Sequence, residues 1–144
     1  MGEYGKPFFK SLPLHFSLSH SGLYAACTLA AFPIGLDIQQ IRKYSPAFAA
    51  RFFSPEEQEI VEKAADKDIE FSRVWSAKES ALKYLGIGLN RSLSSVIVSN
   101  EDSVRLLPEN VSLKLKFYIH EDYILSLCAE SFEDNFDLSL VKIQ

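Results

Sequence analysis

The spacing of apolar and polar positions changes period twice along the chain and divides it into three stretches. In the first, Leu14 to Ser19 is predicted as a strand. Leu23 to Ala31 is a small, apolar run that suits a buried strand, and pattern alone leaves a helix open there. Phe32-Pro33 breaks the run. Ile34, Leu36 and Ile38 then alternate with Gly35, Asp37 and Gln39, so a strand places Asp37 and Gln39 on one face, opposite the apolar set.

The second stretch has helical spacing. Ser45-Pro46 and Ser54-Pro55-Glu56-Glu57 both look like helix starts, with Ser at the N-cap and Pro at the first helical position. Glu57, three after Ser54, completes a capping box. Short helices near 46–52 and 55–65 follow, with Arg51-Phe52-Phe53 at their joint, where the aromatic rings serve the core or offer an apolar contact to a partner. Asp66-Lys67-Asp68 is a polar joint before a longer helix that starts near Asp68. Val74, Ala77, Ala81, Leu82 and Leu85 give that helix an apolar face, and Gly86 suits its C-cap. After Gly88 the period becomes two. Strands are expected near 94–99, 103–107, 112–119, 123–129 and 137–142, with turns at Asn100-Glu101-Asp102 and His120-Glu121-Asp122. The elements add up to an α+β protein, an antiparallel sheet packed against helices.

Composition narrows this picture. A chain of 144 residues is most simply one domain, and 47% apolar residues with 11 Phe suffice for a core. The net charge of −4 argues against a general nucleic-acid binder but leaves room for a local basic site. Cys27 and Cys128 lie in apolar runs and read as buried thiols. No signal peptide pattern follows Met1, and no apolar run approaches the roughly 20 residues of a membrane span, so a cytoplasmic protein is the simplest expectation.

The candidate chemistry starts on the long helix. Trp75, Glu79 and Leu82 are neighbours on it, and Lys78 and Lys83 flank them. A carboxylate beside two ammonium groups can hold a metal or take a proton while the lysines hold phosphate. Taken alone, the helix reads more simply as a surface helix with ordinary charges. Adding the strand reverses that order. An Asp in a short apolar strand is costly to bury without a compensating cation or donors. If the strand lies beside the helix, Asp37 and Glu79 share one hard cation such as Mg²⁺, and Gln39 supplies a neutral oxygen. The competing reading pairs Asp37 with Arg42 or a lysine. Ser19-His20-Ser21-Gly22 forms a polar turn whose hydroxyls, imidazole and N–H groups suit an anion, or else is a serine-stabilised hairpin turn. With no Gly-x-Ser-x-Gly elbow, a serine nucleophile is not supported there.

These motifs together resemble the 4′-phosphopantetheinyl transferase superfamily, in its surfactin-synthetase-activating branch. The matching pieces are Tyr4-Gly5-Lys6-Pro7, Phe16-Ser17-Leu18-Ser19-His20-Ser21-Gly22, Gly35-Leu36-Asp37-Ile38, Arg51-Phe52-Phe53-Ser54-Pro55-Glu56-Glu57, Trp75-Ser76-Ala77-Lys78-Glu79-Ser80 and Lys83-Tyr84-Leu85-Gly86-Ile87-Gly88-Leu89. Two features depart from the branch. Gln39 stands where a Glu is common, and most of the first of the branch's two similar halves is missing. Residues 1–36 resemble the end of that first half, and 37–144 the second.

The resemblance implies transfer of the 4′-phosphopantetheine arm of coenzyme A to a serine of an acyl or peptidyl carrier protein. In that picture Asp37, Gln39 and Glu79 hold Mg²⁺, Glu79 and Lys83 are catalytic, and Lys78 and Lys83 neutralise phosphate charge. Lys6, Ser19 and His20 anchor the coenzyme's phosphates. Neither nucleic acid nor a membrane is implied as a partner. A competing expectation is a non-catalytic remnant that binds coenzyme A or a carrier protein. A third is that two or three copies associate to replace the missing half.

Overall fold

A computed structural model describes residues 8–9, 14–86, 92–133 and 136–143. Its strands are β1 (Phe8–Phe9), β2 (Leu14–Ser21), β3 (Tyr24–Ala30) and β4 (Gly35–Gln40), then three helices, α1 (Pro46–Phe52), α2 (Pro55–Glu62) and α3 (Lys67–Leu85). A short 3₁₀ turn at Leu93–Ser95 leads into β5 (Val96–Asn100), β6 (Ser103–Leu106), β7 (Val111–His120), β8 (Tyr123–Ala129) and β9 (Phe136–Lys142). The expected strands and helices are all present among the described residues, within a few positions of their predicted ends.

The strands form two antiparallel sheets, ordered β1-β2-β3-β9 and β4-β8-β7-β6-β5. One face of the larger sheet packs on the helices. There Val96, Val98, Val104, Leu106, Leu113 and Leu115 meet Phe71, Val74, Ala77, Ala81 and Leu82 of α3. The other face meets the smaller sheet, where Leu36, Ile38, Leu125 and Leu127 enclose a second core with Tyr24, Ala26 and Ala30. β8 is therefore buried along its whole length, which explains its nearly unbroken apolar sequence.

β4 holds the two sheets together. One edge pairs with β8, Asp37 opposite Ser126. On the other edge, the N–H groups of Leu36, Ile38 and Gln40 each donate to a serine hydroxyl of β2, Ser17, Ser19 and Ser21, at 3.1 Å. Serines two apart on a strand share a face, so one row of hydroxyls satisfies an edge that would otherwise leave buried amides unpaired.

The helix starts follow their sequence signals. Ser45 caps α1, Ser54 and Glu57 close a capping box on α2, and the Asp66 carboxylate accepts from the Ile69 N–H to cap α3. Gly86 ends α3 at φ 72°, the left-handed conformation that glycine adopts without a Cβ clash. Gly35 has a different reason. A Cβ there would stand 2.1 Å from the Ser80 carbonyl oxygen and 2.4 Å from the Tyr84 nitrogen, so only glycine lets β4 lie this close to α3.

Candidate active site

Gly35, Asp37 and Gln39 share the face of β4 that meets α3. The close approach at Gly35 brings Asp37 against the helix, where residues one turn apart line up as Ser72, Ser76, Ser80 and, beside them, Glu79 and Lys83. Asp37 is buried, at 4% side-chain exposure. Its Oδ2 accepts from Ser76 Oγ at 2.9 Å and its Oδ1 from Lys83 Nζ at 3.1 Å. Lys83 Nζ also donates to Ser19 Oγ at 2.8 Å, so β2, β4 and α3 meet around one ammonium group. Behind Ser76 lies Ser126 of β8, whose hydroxyl stands 2.7 Å from both Ser76 Oγ and the Ser76 carbonyl. Asp37 is thus oriented by a second layer of hydroxyls that is itself hydrogen-bonded.

Glu79 shares this space. Burial raises its carboxyl above the usual range and the charge of Asp37 raises it further, while Lys83 and a hydrogen bond with the Trp75 side chain pull it back. Asp37 is also raised by burial, against the pull of Lys83, a side-chain hydrogen bond with Gln39, and the Ser76 hydroxyl. Two carboxylates that each resist ionisation, next to a neutral amide, are hard oxygen groups of the kind a divalent cation takes, and one oxygen of Asp37 is now held by Lys83. Among the described residues no three His, Cys, Asp or Glu side chains cluster as metal ligands, and these two acids with Gln39 are the candidate set. Its chemistry fits Mg²⁺, which is usually held by one or two carboxylates, waters and substrate phosphates.

The structure departs from expectation at two places. The strand does not give way to a polar turn at Ser19. β2 runs on through Ser21, and the turn falls at Gly22-Leu23. Ser19 and His20 accordingly leave β2 on opposite faces: Ser19 is buried against β4 and Lys83, and His20 is exposed. The hairpin register explains the difference, because Ser17, Ser19 and Ser21 are all occupied on β4.

The second correction concerns Lys78. It does not face the site. It points into the core at 0% exposure, where Nζ donates to Glu57 Oε1 at 2.7 Å and to the Val96 carbonyl at 2.5 Å. Glu57 in turn accepts from Ser54 N at 2.7 Å and Val98 N at 2.6 Å. The capping-box carboxylate of α2 is therefore also the counter-ion of α3 and a ladder acceptor for β5. Lys78 and Glu79, adjacent in sequence, diverge by about 100° around the helix axis, the turn per residue of a 3.6-residue helix. Lys6 lies outside the described residues.

Sequence reasoning missed two contributors. The serine row of β2 was legible only as a period-two repeat, Ser17-x-Ser19-x-Ser21, and the helix serines as a period-four repeat, Ser72, Ser76 and Ser80. Arg42 entered as a competing partner for Asp37, and the structure pairs it with Gln39 and Trp75 instead. Its guanidinium carbon lies 4.4 Å from the Trp75 ring centroid, and Nη2 reaches Gln39 Oε1 at 3.5 Å.

Comparison with known proteins places this arrangement. Residues 33–128 match the family model of the 4′-phosphopantetheinyl transferase superfamily, and the chain belongs to that family. It is 37% identical over 135 aligned positions to a 4′-phosphopantetheinyl transferase of Bacillus subtilis, covering 88% of this chain and 60% of the relative. It is 33% identical over 150 aligned positions to 4′-phosphopantetheinyl transferase Sfp of Bacillus subtilis strain 168, covering 99% of this chain and 67% of that protein. The chain therefore spans roughly three fifths to two thirds of these relatives' length. Its fold is similar to that of holo-[acyl-carrier-protein] synthase from Thermotoga maritima, with TM-score 0.56 and 19% identity over 67% of this chain and 61% of the other. The synthase of Neisseria meningitidis matches with TM-score 0.55 and 22% identity over 69% of this chain and 98% of the other. Among the described residues no helix is long and apolar enough to cross a membrane.

Proposed function

We propose that the protein transfers the 4′-phosphopantetheine arm of coenzyme A to a serine hydroxyl of an acyl or peptidyl carrier protein, releasing adenosine 3′,5′-bisphosphate. The observation that carries this reading is the meeting of Asp37, Glu79 and Lys83 at the contact of β4 with α3, in a chain of this family.

The reaction joins a serine oxygen to the phosphorus that bears the pantetheine arm and breaks that phosphorus's bond to the oxygen bridging the pyrophosphate. Alignment and charge neutralisation are what such a step needs. Asp37 and Glu79, with Gln39, would hold Mg²⁺, which when bound neutralises charge on the pyrophosphate. Lys83 is the mobile partner: one third exposed, it contacts Asp37 and Ser19 and has the reach to hold a phosphate oxygen. Glu79, or a water activated by it, accepts the proton of the carrier serine. Ser19 holds the Lys83 ammonium and lies beside the phosphate position. Lys6 and His20 remain candidates for the coenzyme's remoter phosphate, whose binding energy would position the reacting centre.

Incubation with coenzyme A, Mg²⁺ and an apo carrier protein, followed by intact mass, tests the reading. A gain of one phosphopantetheine arm on the carrier is expected, and Glu79→Gln should abolish it while leaving the fold intact. Full transfer by that variant removes Glu79 from the mechanism. Binding of either substrate without a mass gain would instead favour the non-catalytic reading, which the Gln39 departure and the partial span motivate.

A further inference from the structure

We propose that Arg42 is a positioning residue that braces both carboxylates at once, one through Gln39 and the other through Trp75. The inference rests on the proposed cation site and concerns Arg42 and Trp75, which that mechanism does not use, acting in part through Gln39, which it does.

Arg42 lies two residues past the end of β4, and its backbone is fixed before its side chain is considered. Its N–H donates to Ser72 Oγ at 3.0 Å, and the same hydroxyl donates to the Arg42 carbonyl at 3.4 Å. Ser72 is itself buried on α3, one turn before Ser76. The guanidinium then lies over the Trp75 ring at 4.4 Å from the centroid. Phe48 of α1 packs on the same indole with centroids 4.2 Å apart and an interplanar angle of 31°. A guanidinium on an indole is a favourable cation–π arrangement, and with Phe48 it fixes the ring. A fixed Trp75 aims its hydrogen bond at Glu79, one helical turn further on.

The other arm runs back along β4. Arg42 Nη2 donates to Gln39 Oε1 at 3.5 Å. A primary amide whose oxygen is held by a guanidinium turns its NH₂ the other way, and Asp37 is the carboxylate on that side of the strand. Gln39 is thus a connector between Arg42 and Asp37, with one lone pair of its amide oxygen facing Arg42 and the other left for the proposed cation. Outer-layer partners of this kind fix the orientation of ligating carboxylates, and their loss typically weakens metal affinity by roughly 10–100-fold.

Trp75 is the chain's one tryptophan, so its emission is a reporter placed next to Glu79. The test is a fluorescence titration of the full chain with Mn²⁺, on wild type, Arg42→Ala, Arg42→Lys, Gln39→Ala and Glu79→Gln. Thermal melts run alongside confirm folding. Wild type should show a saturable change in emission and Glu79→Gln none. Arg42→Ala should move the midpoint at least about tenfold to higher Mn²⁺. Arg42→Lys should restore only part of it, because an ammonium lacks the planar fork that stacks and hydrogen-bonds together. Gln39→Ala, which removes one arm and a proposed donor while leaving α3 untouched, should also move the midpoint to higher Mn²⁺. At saturating metal, KM for coenzyme A and for carrier protein should stay within about twofold of wild type in Arg42→Ala. A wild-type response whose midpoint survives Arg42→Ala overturns the brace alone. A rise confined to the carrier protein's KM makes Arg42 a partner contact and overturns it too. Absence of any Mn²⁺ response in wild type would remove the cation reading and the brace with it.

Discussion

Replacing Lys78 by Met separates two roles that the motif alone leaves joined. The side chains are similar in length, so the change removes the charge and the hydrogen bonds with little loss of volume. Lys78 and Glu57 are both fully buried and stand 2.7 Å apart. In Lys78→Met, Glu57 keeps its bonds from Ser54 N and Val98 N but loses its counter-ion, and the Val96 carbonyl loses a donor. Breaking a buried pair from one side typically costs about 3–5 kcal/mol. At about 3 °C per kcal/mol for a chain of this size, that is a fall in Tm of roughly 9–15 °C. Lys78→Met/Glu57→Gln should cost less than the sum of the two single changes, because the second removes the charge that the first leaves unpaired. Urea and thermal unfolding measure both. In assays below the transition, KM for coenzyme A should be unchanged. A Lys78→Met variant within about 0.5 kcal/mol of wild type, with KM for coenzyme A raised tenfold, would refute this reasoning and return Lys78 to the phosphates.

Three further outcomes follow from the geometry. Gly35→Ala should cost about 1–3 kcal/mol or more, because its Cβ meets backbone atoms of α3 that cannot rotate away; activity should fall with stability as Asp37 and α3 separate, and a neutral result in denaturant melts would contradict the close contact. Ser76→Ala removes a donor from buried Asp37 and should cost about 1–3 kcal/mol, read from the same melts. The third outcome concerns pH. Burial is the first cause raising both Glu79 and Asp37, so the folded chain binds their protons more tightly than the unfolded chain does. This penalty is absent below the ordinary values of 3.8 and 4.5 and complete above the raised ones, so the pair lowers stability as pH rises through that window. Mg²⁺ competes with those protons, so the Tm gain it produces should grow with pH across the same window and vanish in Glu79→Gln. A gain that is flat with pH would oppose the assignment.

Much of the fold was legible in the sequence because local signals and global packing agree. The Ser-Pro starts, the capping box at Ser54 and Glu57, and Gly86 at the C-cap each act within one turn of chain, and each appears where read. The period-two runs of the third stretch became β5 to β9 for the same reason. What sequence did not reveal depends on neighbours distant in the chain. Lys78 and Glu79 look alike as charged positions on one helix. Only the placement of α2 and β5, which supply Glu57 and the Val96 carbonyl, sends one inward and leaves the other near Asp37. Ser19-His20-Ser21 looked like a turn because it is a polar stretch leading to Gly22 between two apolar runs, yet its hydroxyls are the edge partners of β4. Arg42 read as a candidate partner of Asp37, and its actual partners were hidden because Trp75 and Gln39 lie on different elements.

The account turns on whether Asp37 and Glu79 act on one ion. A crystal grown with Mn²⁺ and examined by anomalous scattering answers this directly. One Mn²⁺ peak within bonding distance of a carboxylate oxygen from each residue is expected, and it should be lost in crystals of Asp37→Asn. A peak bound by only one of the two acids, or none at this contact of β4 with α3, would contradict the central claim.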